Sequence, residues 1–140
     1  MKRIILVLVV ILISTNTLHA ANFRWTKIVT TNDRTTEFYV DKNSVKKLGK
    51  FHYYWLLANY LKLEEGDDPN VKSNITFNIL NCETNEYKIL IFISFNLNKG
   101  RGEIIDDVIV PDENISYFEW RYFGEETAFG RVFKAVCKTK

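Results

Sequence analysis

The sequence predicts an α+β domain: an antiparallel β-sheet meander of about five or six strands with a C-terminal amphipathic helix packed on it. Three observations carry that expectation. Apolar and polar residues alternate over Phe51 to Leu63 and again over Tyr87 to Leu97, the period of two that belongs to strands with two unlike faces. Turn-forming clusters at Glu64 to Asn70, Asn81 to Asn85 and Lys99 to Gly102 separate these runs by short intervals, so successive strands pair antiparallel. Near the end the period changes, with Phe129, Val132, Phe133, Val136 and Cys137 forming the stripe of a helix.

The chain opens on a segment with a different purpose. Lys2 and Arg3 precede an apolar run from Ile4 to Ile13, and a polar stretch then ends at Leu18-His19-Ala20. This is the layout of a secretory signal peptide, residues 1–20, and the run is well short of the roughly 20 residues that span a bilayer. Small Ala20 is the expected cleavage position, so the mature domain is residues 21–140, periplasmic or secreted, without a stable membrane anchor. No cysteine near the cut offers a lipidation site. Loss of Lys2 and Arg3 reduces 19 basic against 17 acidic residues to 17 against 17. A neutral domain has no electrostatic drive toward nucleic acid or an anionic membrane.

The elements follow in order. Phe23, Trp25 and Lys27 to Thr31 open a first strand, Asn32-Asp33-Arg34 turns, and Glu37 to Val40 is a short second strand. Asp41 to Leu48 offers an N-cap and about two helical turns stopped by Gly49. In the long strand from Phe51 to Leu63, Phe51, Tyr53, Trp55, Leu57, Leu61 and Leu63 share the more apolar face, the expected core. His52, Tyr54, Tyr60 and Lys62 share the other, the expected solvent face and candidate binding surface. Ile75, Phe77 and Ile79 mark the next strand and Tyr87 to Leu97 the one after. A shorter strand over Glu103 to Val110 stops at Pro111. In the closing helix Glu125 and Glu126 stand at the start and Arg131, Lys134 and Lys138 later, in keeping with the helix dipole. Gly130 inside it costs about 1 kcal/mol.

Cys82 and Cys137 are the only cysteines, and an even count in an exported chain reads as a disulfide. The bond closes a loop of about 55 residues, an entropic restraint on the unfolded chain on the order of 4 kcal/mol. It would clamp the last helical turn to the sheet.

Catalytic and metal chemistry find little support in the residues. His52 is the one histidine of the mature chain and sits in a strand pattern, without a nucleophile motif. Once the cysteines pair, no four-ligand zinc set remains. Glu64, Glu65, Asp67 and Asp68 cluster in a loop without the ligand spacing of a calcium-binding EF-hand, and Gly100 and Gly102 are turn glycines rather than a dinucleotide fingerprint. No cofactor is expected. The sequons Asn74-Ile-Thr76 and Asn114-Ile-Ser116 matter only in a eukaryotic secretory pathway. Aromatic residues are the more suggestive surplus, including Tyr117, Phe118, Trp120, Tyr122 and Phe123 ahead of the helix.

Taken together, Trp25, Phe38-Tyr-Val-Asp41, Asn43-Ser-Val-Lys46, Tyr54-Trp-Leu-Leu-Ala-Asn-Tyr60, Asn81-Cys82 and Val136-Cys137 resemble the bacterial surface-adhesin protein E family over nearly the whole mature chain. The resemblance implies a small exported domain with an antiparallel sheet, a helix packed on it and a disulfide. It also implies an adhesin-like role, the best-known members binding host extracellular-matrix and plasma proteins. The expectation is a non-enzymatic binding domain that contacts a protein or other envelope or extracellular macromolecule through its sheet surface or edge, with self-association left open. A periplasmic binder of a small apolar or peptide ligand in a sheet cleft is the alternative, and an unrecognised hydrolase the third reading.

Overall fold

The computed structural model describes residues 22–109 and 119–140. The signal segment, the sequon at Asn114, Tyr117 and Phe118 lie outside the described residues. One sheet carries β1 (Trp25–Thr30), β2 (Thr36–Asp41), β3 (Lys46–Leu48), β4 (Phe51–Tyr60), β5 (Ser73–Asn81), β6 (Glu86–Leu97), β7 (Arg101–Ile109) and β8 (Arg121–Tyr122), and α1 (Ala128–Cys137) packs against it. The order β1-β2-β4-β5-β6-β7 is a six-strand antiparallel path, with short β3 added to β4 and β8 to β6. The meander expected from the turns is therefore present. Two small strands were not legible, since neither offers enough residues for alternation to register.

The connector after β2 departs from expectation. Asp41 does cap it, its carboxylate accepting from the Asn43 amide at 3.2 Å, but only a 3-10 turn over Lys42–Ser44 forms. Lys46–Leu48 then pairs with Phe51–Tyr53 as β3. Sheet hydrogen bonds to β4 outweigh the weak propensity of an isolated two-turn helix.

Bulges interrupt the ladder at Phe77/Asn78 between β5 and β6, and at Ser94/Phe95 and Phe95/Leu97 between β6 and β7. Each increases the local twist. The turn from β6 to β7 is held by polar groups of the neighbouring strands: Asn59 Oδ1 accepts from Asn98 Nδ2 at 3.0 Å and from the Lys99 amide at 2.9 Å, while Ser73 Oγ donates to the Leu97 carbonyl at 2.6 Å. Gly100 has φ +65°, the left-handed region that favours glycine, and a Cβ there would displace the end of the Ile75 side chain, 2.5 Å away.

α1 is capped by Thr127, whose Oγ1 accepts from the Gly130 amide at 3.0 Å. Glu125 and Glu126 thus precede the cap. Gly130 is explained by close approach: a Cβ would lie 2.3 Å from the Gly124 carbonyl oxygen, so the loop folds tightly against the first turn. Val132, Phe133 and Val136 are buried against Phe38, Val40, Tyr54, Leu56, Leu80 and Tyr87, and this is the main core. Cys82 and Cys137 are bonded, with their Cα atoms 5.9 Å apart, so the last turn is fastened to the end of β5 as expected.

Candidate functional site

The sheet has one face under α1 and another without a covering element among the described residues. Alternation in β4 decides which side chains lie where, and it runs opposite to the expectation. His52 is 4%, Tyr54 0% and Leu56 4% exposed, beneath or beside the helix. Phe51, Tyr53 and Trp55 are half-buried on the other face, where Leu57 alone of the expected core is fully enclosed, and Leu61 is 52% exposed. His52 and Tyr54 are therefore interior residues. Tyr60 is half-buried and Lys62 exposed beyond the strand end, so the four do not form one surface.

The disulfide is the cause. The Cys82 amide donates to the Lys50 carbonyl at 3.3 Å, and His52 Nδ1 lies 3.1 Å from Cys82 Sγ, so Cys82 emerges on the side of His52 and Tyr54. Whichever face carries Cys82 receives the helix. Disulfide sulfur bears no hydrogen, so this contact is a hydrogen bond only in the tautomer protonated on Nδ1. Burial, and secondarily the Lys47 charge, hold the His52 pKa below its ordinary value. A buried imidazole kept neutral against a disulfide is structural.

The uncovered face carries the aromatic surplus. Phe23 stacks on Trp25 with centroids 4.7 Å apart and meets Trp55 at 5.2 Å; Trp55 meets Phe77 at 4.8 Å, and Phe77 meets Tyr53 at 6.2 Å. Register produces this row, because Trp55 stands opposite Phe77, Phe77 opposite Ile91, and Ile91 opposite Ile109 across three successive strand pairs. At one end Phe51 meets Trp120 at 5.8 Å, with Lys50 Nζ 5.4 Å from the Phe51 centroid and Lys88 Nζ 5.6 Å from that of Trp120. At the opposite corner Lys27 pairs with Glu37, which also accepts from Tyr39 Oη at 2.8 Å and Asn59 Nδ2 at 3.1 Å. The edge strand β7 adds Ile104 and Ile109, 58% and 66% exposed, beside the edge-protecting carboxylates Asp106 and Asp107. All three tryptophans of the chain belong to this aromatic face.

Among the described residues no three His, Cys, Asp or Glu side chains converge to hold a metal ion. No helix there is long and apolar enough to cross a membrane.

The sequence profile of the family described as surface-adhesin protein E matches residues 25–138. The chain belongs to that family. The match spans every described element, from Trp25 in β1 to the residue after α1. A comparison with curated protein sequences returns no match. Among solved structures the fold is similar to Haemophilus influenzae protein E, with TM-score 0.54 and 13% identity over 81% of this chain and 83% of that one. It is also similar to crystal form II of the same protein, with TM-score 0.53 and 13% identity over 78% and 85%. Protein E from non-typeable Haemophilus influenzae gives 0.52 and 14% over 84% and 78%. At this identity the likeness establishes the sheet-plus-helix fold, and family membership establishes the surface-adhesin class.

Proposed function

We propose that residues 21–140, released after cleavage at Ala20, form an exported, non-enzymatic binding domain of adhesin type that docks a protein of the extracellular surroundings on the open face of its sheet. One observation carries this reading. The rings of Phe23, Trp25, Trp55, Phe77 and Tyr53 form a half-buried row in mutual contact on the face opposite the helix. Aromatic rings of this kind present large rigid area at small entropic cost and dominate binding hot spots. A mature chain with 17 basic and 17 acidic residues draws little affinity from net charge, which leaves the aromatic anchors as its source.

The test is binding of the mature domain to an immobilised extracellular-matrix extract and to plasma proteins, measured by surface plasmon resonance. Trp25→Ser and Trp55→Ser are each expected to weaken capture by about 2 kcal/mol, the size of a hot spot. Lys62→Ala, at the exposed strand end, serves as the control and leaves capture unchanged. Unaltered binding by both tryptophan variants would remove the open face from consideration.

A further inference from the structure

We infer that the helix-covered face also holds a small-molecule site: a groove beyond the N-terminal end of α1 that takes one neutral aromatic molecule bearing an O–H or N–H donor. The groove exists because of lengths. α1 has ten residues and so spans about 15 Å, whereas the ten residues of β4 span about 33 Å. With its C-terminus fastened at Cys82, the helix reaches only part of the face. The remainder is a concavity of about 270 Å³, near the lower end of the roughly 300–1,000 Å³ of small-molecule sites.

Its walls and its floor differ in chemistry. Phe38, Leu56, Phe92 and Phe129 supply apolar walls, and no residue lining the groove carries a formal charge. Asn74 and Asn78 supply the polar floor. Asn78 is 0% exposed, and its Nδ2 donates to Thr76 Oγ1 at 2.9 Å and to the Thr76 carbonyl at 3.3 Å. That carbonyl can only accept, which settles the amide orientation and directs Oδ1 away from Thr76. Among the described residues Oδ1 of Asn78 has no hydrogen-bond partner. The Asn74 amide is met by Tyr60 Oη at 2.6 Å, a hydroxyl that can donate to Asn74 Oδ1. One buried acceptor left open in an apolar groove matches the single donor of a bound molecule. An anion would meet the Asp67 charge that reaches Tyr60, a cation would find no carboxylate in the lining itself, and a purely apolar ligand would leave the Asn78 acceptor open.

The experiment is a heteronuclear NMR titration of the mature, disulfide-bonded domain with p-cresol and indole as probes and toluene as the donor-free analogue. Expected are saturable shifts confined to the Asn74 and Asn78 side-chain amides and their neighbours, with toluene about tenfold weaker, the worth of one hydrogen bond. Ala58→Phe, which fills the groove, should abolish them. If that variant does not fold, Asn78→Leu, which removes the open acceptor at similar volume, replaces it, and should bring p-cresol down to the affinity of toluene while leaving toluene itself unchanged. The inference is overturned if p-cresol gives no saturable shift at millimolar concentration, if toluene binds equally well, if the shifts map to the open face, or if the folded variant binds as the parent does. The Trp25→Ser and Trp55→Ser variants of the open face are expected to bind these probes normally, so this site and the macromolecular surface succeed or fail separately.

Discussion

The two faces of the sheet are made from similar residue types and do different things. Under α1, apolar side chains from five strands and the helix enclose one another until Val40, Tyr54, Leu80, Val132 and Val136 have no exposure. On the other face the rings stack sideways along the sheet and stay half-exposed. Hydrophobicity alone does not separate them, because by composition the open face of β4 is the more apolar. What separates them is one covalent bond that brings the helix to a particular side. A surface rich in aromatic residues is thereby left uncovered by the described elements, the feature on which the proposed binding rests.

The largest contrast is expected from matched deletions. Phe133→Ala, in the fully enclosed face, should cost about 3–5 kcal/mol in urea unfolding, since it removes a ring 1% exposed and leaves a cavity. Phe77→Ala, in the open row, should cost about 1 kcal/mol, the scale of a stacked aromatic pair with solvent nearby. Equal costs would mean that the second face is a core as well, covered by something beyond the described residues.

Next in size is the bond that selects the face. Cys82→Ser combined with Cys137→Ser should lower stability by roughly 2–4 kcal/mol, as release of a loop of 55 residues predicts. Native tryptophan emission should change little in the folded variant, because all three indoles sit away from the helix. A large emission change before unfolding would couple the two faces and weaken the contrast between them.

The distribution of polar atoms explains why most of the fold was legible from sequence and the site was not. Strand order, the helix and the disulfide follow from local alternation, turn chemistry and cysteine count, each readable within a few residues. Sidedness is a different kind of fact. It required carrying the parity of Cys82 through the β4–β5 register, where Leu80 stands opposite His52 and Asn81 opposite Phe51, to place Cys82 with His52 and Tyr54. The signal was present, since the cysteine was already tied to the helix, but the turn length that sets register is not determined by composition. The groove was less legible still. It depends on helix length, on the end that is anchored, and on an asparagine, Asn78, whose open acceptor appears only once Thr76 is in place.

A smaller effect tests the interior assignment of Tyr54. Its hydroxyl is buried without a hydrogen-bond partner among the described residues, and burial pushes its pKa strongly upward. An orphaned hydroxyl opposes folding, so Tyr54→Phe should be neutral or stabilise by about 1 kcal/mol in thermal unfolding. The same change on a solvent-facing strand would do nothing to stability and, on a binding face, would reduce capture. Loss of stability on Tyr54→Phe would show that the hydroxyl has a partner and that the covered face is wetter than its side-chain burial indicates.

The smallest expected effect is a pH dependence that belongs to the covered face alone. His52 is 4% exposed and stands opposite Lys47 in the β3–β4 pairing, and its pKa is held down first by burial and then by that lysine. The unfolded chain binds a proton more readily than the folded one, so this contribution to stability is complete above the ordinary histidine value of about 6.5 and is lost as pH falls below it through the folded value. Glu37 on the open face behaves in the same direction but lower on the scale: its hydrogen bond with Lys27, first among the causes, keeps it ionised, and its contribution is lost only as pH falls through the carboxylate range. Urea midpoints at pH 7.5, 6.5 and 5.5 separate the two. The midpoint should fall across this window in the parent and stay nearly level in His52→Gln, whereas Glu37→Gln should leave the slope of the window intact. A level parent curve would mean that His52 takes its proton as readily in the folded chain as in the unfolded one, against its burial beside the disulfide and Lys47.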